Sequence, residues 1–533
     1  MTMSRFFAFQ LSVLASVVLV ILGATGLVNG AWALGPIVLM LIGCRDLYQT
    51  RHAIQRNYPI IGHLRFMLEY IGPEIRQYFI ESDTEAAPFS RQQRAIVYQR
   101  SKNVLDKRPF GTQHDPYAVG FEWINHSIAP APVAEPADFR VRIGSERAQP
   151  YDASVFNVSA MSFGALSGNA IQSLNRGAKL GGFAHDTGEG SISVHHREHG
   201  GDLIWEIGSG YFGCRSGDGK FDPDRFAAQA THPQVRMIEI KLSQGAKPGH
   251  GGVLPGPKVT PEIAEARGVP VWTDCISPAS HQAFSTPIEL LEFIVRLRQL
   301  SGDKPTGFKL AIGHPWEWFA IAKAMQETGI TPDFIVVDGK EGGTGAAPAE
   351  FMDHVGMPMR DGLRLVHNTL LGLDLRGRVR IGAAGRMITA FDIAGTMALG
   401  ADWCNAARGF MFAIGCIQAQ HCHTGACPSG VATQDPSRQR ALVVTDKAQR
   451  VFNFHRNTVE ALAELVAAAG LEHPGRLRAQ HVMRRISHTE ISSLADLYPT
   501  MPHGALLAGD PPIDVFRRYW PGARADRFGQ PLY

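Results

Sequence analysis

Three cysteines, Cys416, Cys422 and Cys427, fall within one short stretch, and Pro428 follows the last of them. Thiolates at this spacing can ligate an iron–sulfur cluster. Three protein ligands suit a three-iron cluster, or a four-iron cluster lacking one protein ligand. Two other readings compete. One is a zinc ion completed by His421 or His423; the other is three unligated core cysteines. The remaining cysteines, Cys44, Cys214, Cys275 and Cys404, are scattered. An odd total in a long chain does not form a disulfide framework, so the grouping points to a reducing compartment.

A second set of chemistry-bearing residues lies at the ends of short apolar runs. Ser162 follows the run Phe156–Met161. Lys241 lies near the end of Met237–Leu242, with Gln244 and Lys247 after it. Lys309 sits within Gly307–Ile312, and Asp338 ends Asp333–Asp338. Gly385 and Arg386 follow Val379–Ala383, and Arg408 and Gly409 follow Ala401–Ala406. A lone strand-end lysine is usually an ion-pair partner. Several converging on one face make a site. The loop Met161–Ser167 is built of small residues, so its backbone N–H groups can approach a ring or an anion. Gly-rich loops after the last two strands are where a β/α barrel holds a phosphate. A phosphate-bearing ligand fits that description. A flavin mononucleotide fits the same face, with Lys309 or Lys241 near the ring N1 and C2 oxygen.

The elements that must position these residues repeat as strand, glycine-rich loop, helix. The runs above, together with Val269–Asp274, are the predicted strands. Asn169–Leu180, Pro287–Leu300, Trp316–Glu327 and Thr389–Leu399 carry apolar residues at three and four spacing and are the predicted helices. Alternation of this kind implies a parallel sheet, and seven or eight units predict an α/β fold of the TIM (β/α)8 type. No G-x-G-x-x-G follows a strand and opens a helix, so there is no dinucleotide fingerprint.

Phe6 to Cys44 contains no Asp, Glu, Lys or Arg. Phe6 to about Leu27 is long enough to cross a ~30 Å hydrocarbon core. Val28-Asn29-Gly30 reads as a turn, and Ala31 to about Leu47 as a second, shorter span. Arg5 before the pair and Arg45, Arg51 and Arg56 after it place both ends in the cytoplasm under the positive-inside rule. A cleaved signal peptide ending near Ala31-Trp32-Ala33 is the rival reading. Ile60, Ile61, Leu64, Met67, Leu68 and Ile71 form an apolar face beside Arg51, His52, Arg56 and Arg65. That pattern suits either a helix lying in the membrane interface or helices packed on the body. A Pro- and Ala-rich passage, Ile128 to Ala137, reads as a linker. The expected organisation is therefore a transmembrane hairpin over 1–48, a juxtamembrane helical segment and linker over 49–137, a barrel with its cysteine loop over 138–440, and a C-terminal helical extension over 441–533.

Charged residues make up 19% and apolar ones 45%, which excludes global disorder. A net charge of +3 without a basic stripe makes no case for nucleic acid.

Taken together, these residues resemble the synthase domain of the glutamate synthase family. The match runs from about Val155 to about Pro436. It rests on Met161-Ser162-Phe163-Gly164-Ala165, Thr187-Gly188-Glu189-Gly190, and Gln244-Gly245-Ala246-Lys247-Pro248-Gly249 running to Gly256. It continues with Asp338-Gly339 through Gly342-Gly343-Thr344-Gly345-Ala346-Ala347-Pro348, and the cysteine stretch ending Val431-Ala432-Thr433-Gln434-Asp435-Pro436. The resemblance implies a β/α barrel with FMN and a [3Fe-4S] cluster, reducing the 2-iminoglutarate formed from 2-oxoglutarate and ammonia to glutamate. It implies that Gln244 and Lys247 hold or polarise the 2-oxo acid, with Glu189 in acid–base or tunnel-gating work beside it. Met161, Ser162, Gly164, Lys241, Lys309, Asp338, Gly342, Gly343, Thr344, Gly345, Gly385, Arg386 and Arg408 would line the FMN site. Cys416, Cys422 and Cys427 would ligate the cluster.

Departures from the family pattern bear on the substrate. A membrane hairpin stands where the large enzymes carry an amidotransferase domain, so ammonia is expected free or from a separate amidotransferase. The C-terminal glycine-repeat domain of the large enzymes is likewise expected to be missing. His250 stands at a position that is acidic in those enzymes, and Asp186 replaces an Asn. A different amine, such as methylamine giving N-methylglutamate, or another oxo acid is the second expectation. A membrane-tethered redox relay is the third, and Gln244 and Lys247 argue against it. The electron donor is expected to be separate: ferredoxin, a reductase subunit or quinone.

Overall fold

The structure is a computed structural model that describes residues 5–84 and 87–529. It divides into two compact units, one up to Gln92 and one from Gln93 onward.

In the first unit, helix α1 (Phe7–Ala24) and helix α2 (Leu34–Tyr48) run antiparallel around a turn that Asn29 closes by accepting the Ala31 N–H. Phe7–Ala24, and Gly30–Tyr48, which joins a 3-10 turn to α2, are each long and apolar enough to cross a membrane. Gly43 lets them touch, because a Cβ there would collide with the Phe9 ring. Helix α3 (Gly62–Ile75) follows and continues as a π turn to Ile80.

The second unit is built on a closed ring of eight parallel strands. They are β1 (Phe156–Val158), β2 (His185–Asp186), β3 (Leu203–Ile207), β4 (Val235–Lys241), β5 (Thr306–Leu310), β6 (Phe334–Asp338), β7 (Arg380–Ala384) and β8 (Trp403–Ala406). β8 pairs with β1 through Cys404 and Phe156, which closes the ring. The strands are buried on both faces, as a parallel sheet wrapped by helices requires.

Local chemistry starts the helices where the barrel needs them. Ser167 caps α4 (Gly168–Gly181) by accepting the Ala170 N–H, and Gly182 ends it in the left-handed conformation. Thr286 and Glu289 form a reciprocal cap on α5 (Pro287–Leu300), with Pro287 at its first position. Thr389 and Asp392 do the same for α6 (Ala390–Ala398). A long helix, α7 (Val444–Ala468), packs along α4; a Cβ at Gly177 would strike Val451 at this crossing. The C-terminal part also holds two short strands: Val482–Arg485 pairs with Glu122–Ile124 on one side and with Ile491–Ser493 on the other.

Six of the eight barrel strands lie where the apolar runs predict them. Two differ from expectation. β2 is only two residues long, too short to leave a pattern, and β3 carries Glu206 in its middle. The predicted strand Val269–Asp274 is a turn instead. Pro270 breaks the run, and Trp272 adopts a positive φ of 59° and donates its backbone N–H to the Val259 carbonyl. The segment belongs to the long β4-to-β5 crossover, whose only strand pair is Val253–Leu254 with Cys275–Ile276.

Candidate active site at the C-terminal mouth of the barrel

Alternation along β4 turns Glu239 and Lys241 into the barrel, one layer apart. Lys241 emerges at the mouth, 3.1 Å from the Glu189 carboxylate. Glu189 stands on the loop after β2, where Gly188 has a positive φ of 65° and presses on Met161 and Ser162; a Cβ on it would come within 2.7 Å of the Ser162 nitrogen. Burial alone would raise the Glu189 carboxyl. Lys241, Arg267 and Lys247 outweigh it and hold the group below the usual carboxylate range. Lys247 is buried, and burial pulls its ammonium down despite Glu189. One carboxylate and two lysines therefore share the mouth, with Gln244 one turn before Lys247. His281 fixes the Lys241 backbone: its Nε2 lies 2.8 Å from the Lys241 carbonyl, and burial pushes the ring down to about 4.

Loops from opposite sides of β5 meet over its end. The Gly245 N–H donates to Asp338 at 2.8 Å, and a Cβ on Gly245 would collide with the Gly339 carbonyl. Burial raises the Asp338 carboxyl despite Lys309 and that N–H. Arg408, after β8, donates to the Glu341 carbonyl and lies against Gly343, whose Cβ would come within 3.0 Å of the guanidinium. Burial and then the nearby Arg386 draw Arg408 down to about 10. Arg386 is exposed in a left-handed turn, φ 52°, after β7. Gly385 borders Met359 and Glu341, while the Thr344 and Gly345 backbone lies at the open rim. Gly164, φ 102°, bends the first loop against Leu254 and Arg267.

Lys309 pairs in register with Lys241 across the β4–β5 ladder and reaches the acids inside the ring. It is enclosed inside the barrel, ion-paired with Glu206 and 3.4 Å from Glu239. Asp186, Glu206 and Glu239 bring one oxygen each within 4.8 Å of one another, the only such trio among the described residues. Burial opposes the Lys309 charge, yet Glu206, Glu239 and Asp186 hold its pKa well above the ordinary value. Burial and then Glu206 raise Asp186 to about 7, and burial and then Asp186 raise Glu239 strongly. Sequence reasoning missed Glu206 and Glu239. The signal was present: an acid flanked by apolar residues in Leu-Ile-Trp-Glu-Ile and Met-Ile-Glu-Ile-Lys has to face a polar interior.

The cysteine loop adjoins the mouth. Gln434 donates to the Gly164 and Leu166 carbonyls at 3.1 and 3.0 Å, and Ser167 N–H donates to Val431. Burial pushes the Cys416 thiol up to about 12 and raises Cys422. Cys427 goes the other way. Burial is outweighed there by the Ser429 hydroxyl and the N–H groups of Ala432, Ser429 and Val431, so its thiolate is favoured. Lys258 approaches the same thiols and donates to the Cys422 carbonyl at 2.7 Å; Tyr98 donates to the Cys416 carbonyl at 2.7 Å. The trio of ligating groups tight enough for one ion does not include these sulfurs.

A closed (β/α)8 barrel with lysines, a carboxylate and two arginines converging on its C-terminal mouth is the architecture of a β/α-barrel enzyme. The chain belongs to the glutamate synthase family, oxidoreductases acting on CH–NH2 donors: the model described as the conserved region in glutamate synthase matches residues 135–472. It is 38% identical to the glutamate synthase large subunit-like protein YerD of Bacillus subtilis (strain 168), over 87% of this chain and 95% of that one. It is 36% identical to an archaeal-type glutamate synthase [NADPH] of Thermotoga neapolitana over 59% of each chain, and 35% identical to an archaeal glutamate synthase [NADPH] of Archaeoglobus fulgidus over 61% of each. The match thus spans about three fifths of the archaeal-type relatives. Among solved structures, a flavocytochrome b2 variant with sulfite bound aligns over 79% of this chain at 10% identity, with a TM-score of 0.41.

Proposed function

We propose that this chain reduces 2-iminoglutarate, formed from 2-oxoglutarate and ammonia, to glutamate, using FMN and a [3Fe-4S] cluster. The observation that carries the reading is the grouping of Glu189, Lys241 and Lys247 at the barrel mouth.

The residues present fit the implied groups. Arg408 and Arg386 bring two cations together on the loops where a barrel holds phosphate, and burial and then Arg386 lower Arg408 against the pull of Asp338 and Glu341, so a further anion there would favour its charge. Gly342, Gly343 and Gly345 keep that rim clear of side chains. Lys241 supplies the cation that a reduced flavin ring needs near N1. The Cys427 sulfur, fed by three backbone N–H groups, is the sort of acceptor a cluster ligand makes. When bound, FMN supplies the hydride for the imine carbon, and the cluster relays the electrons that restore it.

The remaining work falls to the chain itself. Lys247 binds a carboxylate or polarises the 2-oxo group, with Gln244 orienting it. Glu189 is ionised, so it attracts incoming ammonium as a counter-ion and stands beside the imine nitrogen for acid–base work.

Ammonia arrives free or from a separate amidotransferase, and electrons from ferredoxin, a reductase subunit or quinone. The hairpin α1–α2 holds the barrel at the cytoplasmic face of a membrane, because both helices suit a bilayer and the flanking arginines stay outside it. The test is to reduce the detergent-solubilised protein anaerobically and follow its visible spectrum. Prompt flavin reoxidation requiring 2-oxoglutarate and ammonium together, with glutamate formed, is expected. Reoxidation only with methylamine assigns N-methylglutamate formation instead. A protein that carries no flavin refutes the proposal.

A further inference from the structure

The residues after the hairpin carry an apolar surface that nothing in their own unit covers. Ile61, Leu64, Met67 and Leu68 are each between 49% and 52% exposed, and Phe79 is 85% exposed. At 100° per residue these positions and Ile75 fall in one stripe of about 120° on α3 and its π turn. Arg65, Glu69 and Arg76 lie outside that stripe, with Arg65 and Glu69 paired at 2.7 Å.

The start of α3 is pinned to the end of α2. Asp46, 1% exposed, accepts from the Ile60 N–H at 3.0 Å, and its Oδ1 lies 2.8 Å from His63 Nε2. Asp46 marks the last turn of the second apolar helix, where that helix leaves the hydrocarbon. A helix tied there begins at interfacial depth.

The flanking residues have the same preference. Arg45, Arg51, Arg56, Arg65 and Arg76 outnumber Asp46, Glu69 and Glu74 over residues 45–80. Tyr58, Tyr70 and Tyr78 are exposed among them, and Tyr is the residue that membrane interfaces favour.

We propose that α3 lies in the plane of the cytoplasmic leaflet. Its Ile61–Leu64–Leu68 stripe is set among phospholipid acyl chains, and its arginines meet anionic headgroups. This rests on the membrane-anchored reading given above. The occupant is the bilayer that holds α1 and α2, and the consequence is a tether that cannot swing freely.

The test places the photocrosslinker p-benzoylphenylalanine at Val18, at Leu68 or at Glu69 of the full-length protein. The cells' own membranes are irradiated and adducts read by mass spectrometry. Phospholipid adducts at Val18 and Leu68, with at least about five-fold fewer at Glu69, are the expected result. Lipid adducts at Val18 together with none at Leu68, or with crosslinks from Leu68 to barrel peptides, would overturn the interfacial helix while leaving the hairpin standing. Absence of lipid adducts at Val18 would refute the hairpin and the present inference with it.

Discussion

Replacing Lys309 with Met tests the charge balance inside the barrel. Among the described residues Lys309 is the only cation in contact with Glu206 and Glu239, and all three side chains are almost fully buried. Removing one partner of a buried ion pair costs about 3–5 kcal/mol, because the remaining charges keep their desolvation cost. The pH dependence follows from the carboxyls. Asp186 at about 7 and the strongly raised Glu239 bind more protons folded than unfolded. Their contribution is therefore fully present below the unfolded value, about 4, and is lost as pH rises through the folded values. Lys309 lowers both groups, so without it they take up protons more readily, and do so more completely at pH 5 than at pH 8. Circular dichroism melts of the detergent-solubilised chain should show the full loss at pH 8. At about 2 °C per kcal/mol that is a Tm lower by roughly 6–10 °C. The loss should shrink to half or less at pH 5, and Glu206→Gln added to Lys309→Met should recover part of it at pH 8. A loss under about 1 kcal/mol at pH 8, or an equal loss at both pH values, would refute the buried ion-pair argument.

Lys247→Ala should raise the KM for 2-oxoglutarate by roughly 10- to 100-fold, the worth of one charged hydrogen bond at about 1.5–3 kcal/mol, in steady-state assays of the reduced enzyme. Cys422→Ser should abolish stoichiometric iron and acid-labile sulfide while flavin absorbance persists; retained iron would remove that thiol from the ligand set. Gly188→Ala, which forces a side chain into a left-handed turn against Ser162, should cost about 1–3 kcal/mol in thermal stability and lower the flavin content of the purified protein.

Most of the ring was legible because buried parallel strands are apolar runs closed by glycine-rich turns. Helices with capping boxes, such as α5 and α6, announced their own ends. β2 was not legible, because two residues carry no period and its place is set only by pairing with β1 and β3. Val269–Asp274 misled because apolar content alone does not make a strand when a proline interrupts it. At the site, the spacing of Gln244 and Lys247 after β4 already placed both at the mouth. For Lys309 the partners were not legible. A strand-end lysine can face the ligand or the barrel interior, and the choice depends on acids from β2, β3 and β4 that only the closed ring brings to it.

The contact of Gly245 with Gly339 has a mechanical consequence. It bridges the loops after β4 and β6 above β5, whose own exit is stapled by Ser243 to Ala311. That third of the rim behaves as a fixed arch, since backbone rests on backbone with no side chain to slide. Across the remaining arc, among the described residues, side-chain and backbone hydrogen bonds of Gln434 and Ser167 join the first loop to the cysteine loop, a lighter seam than backbone resting on backbone.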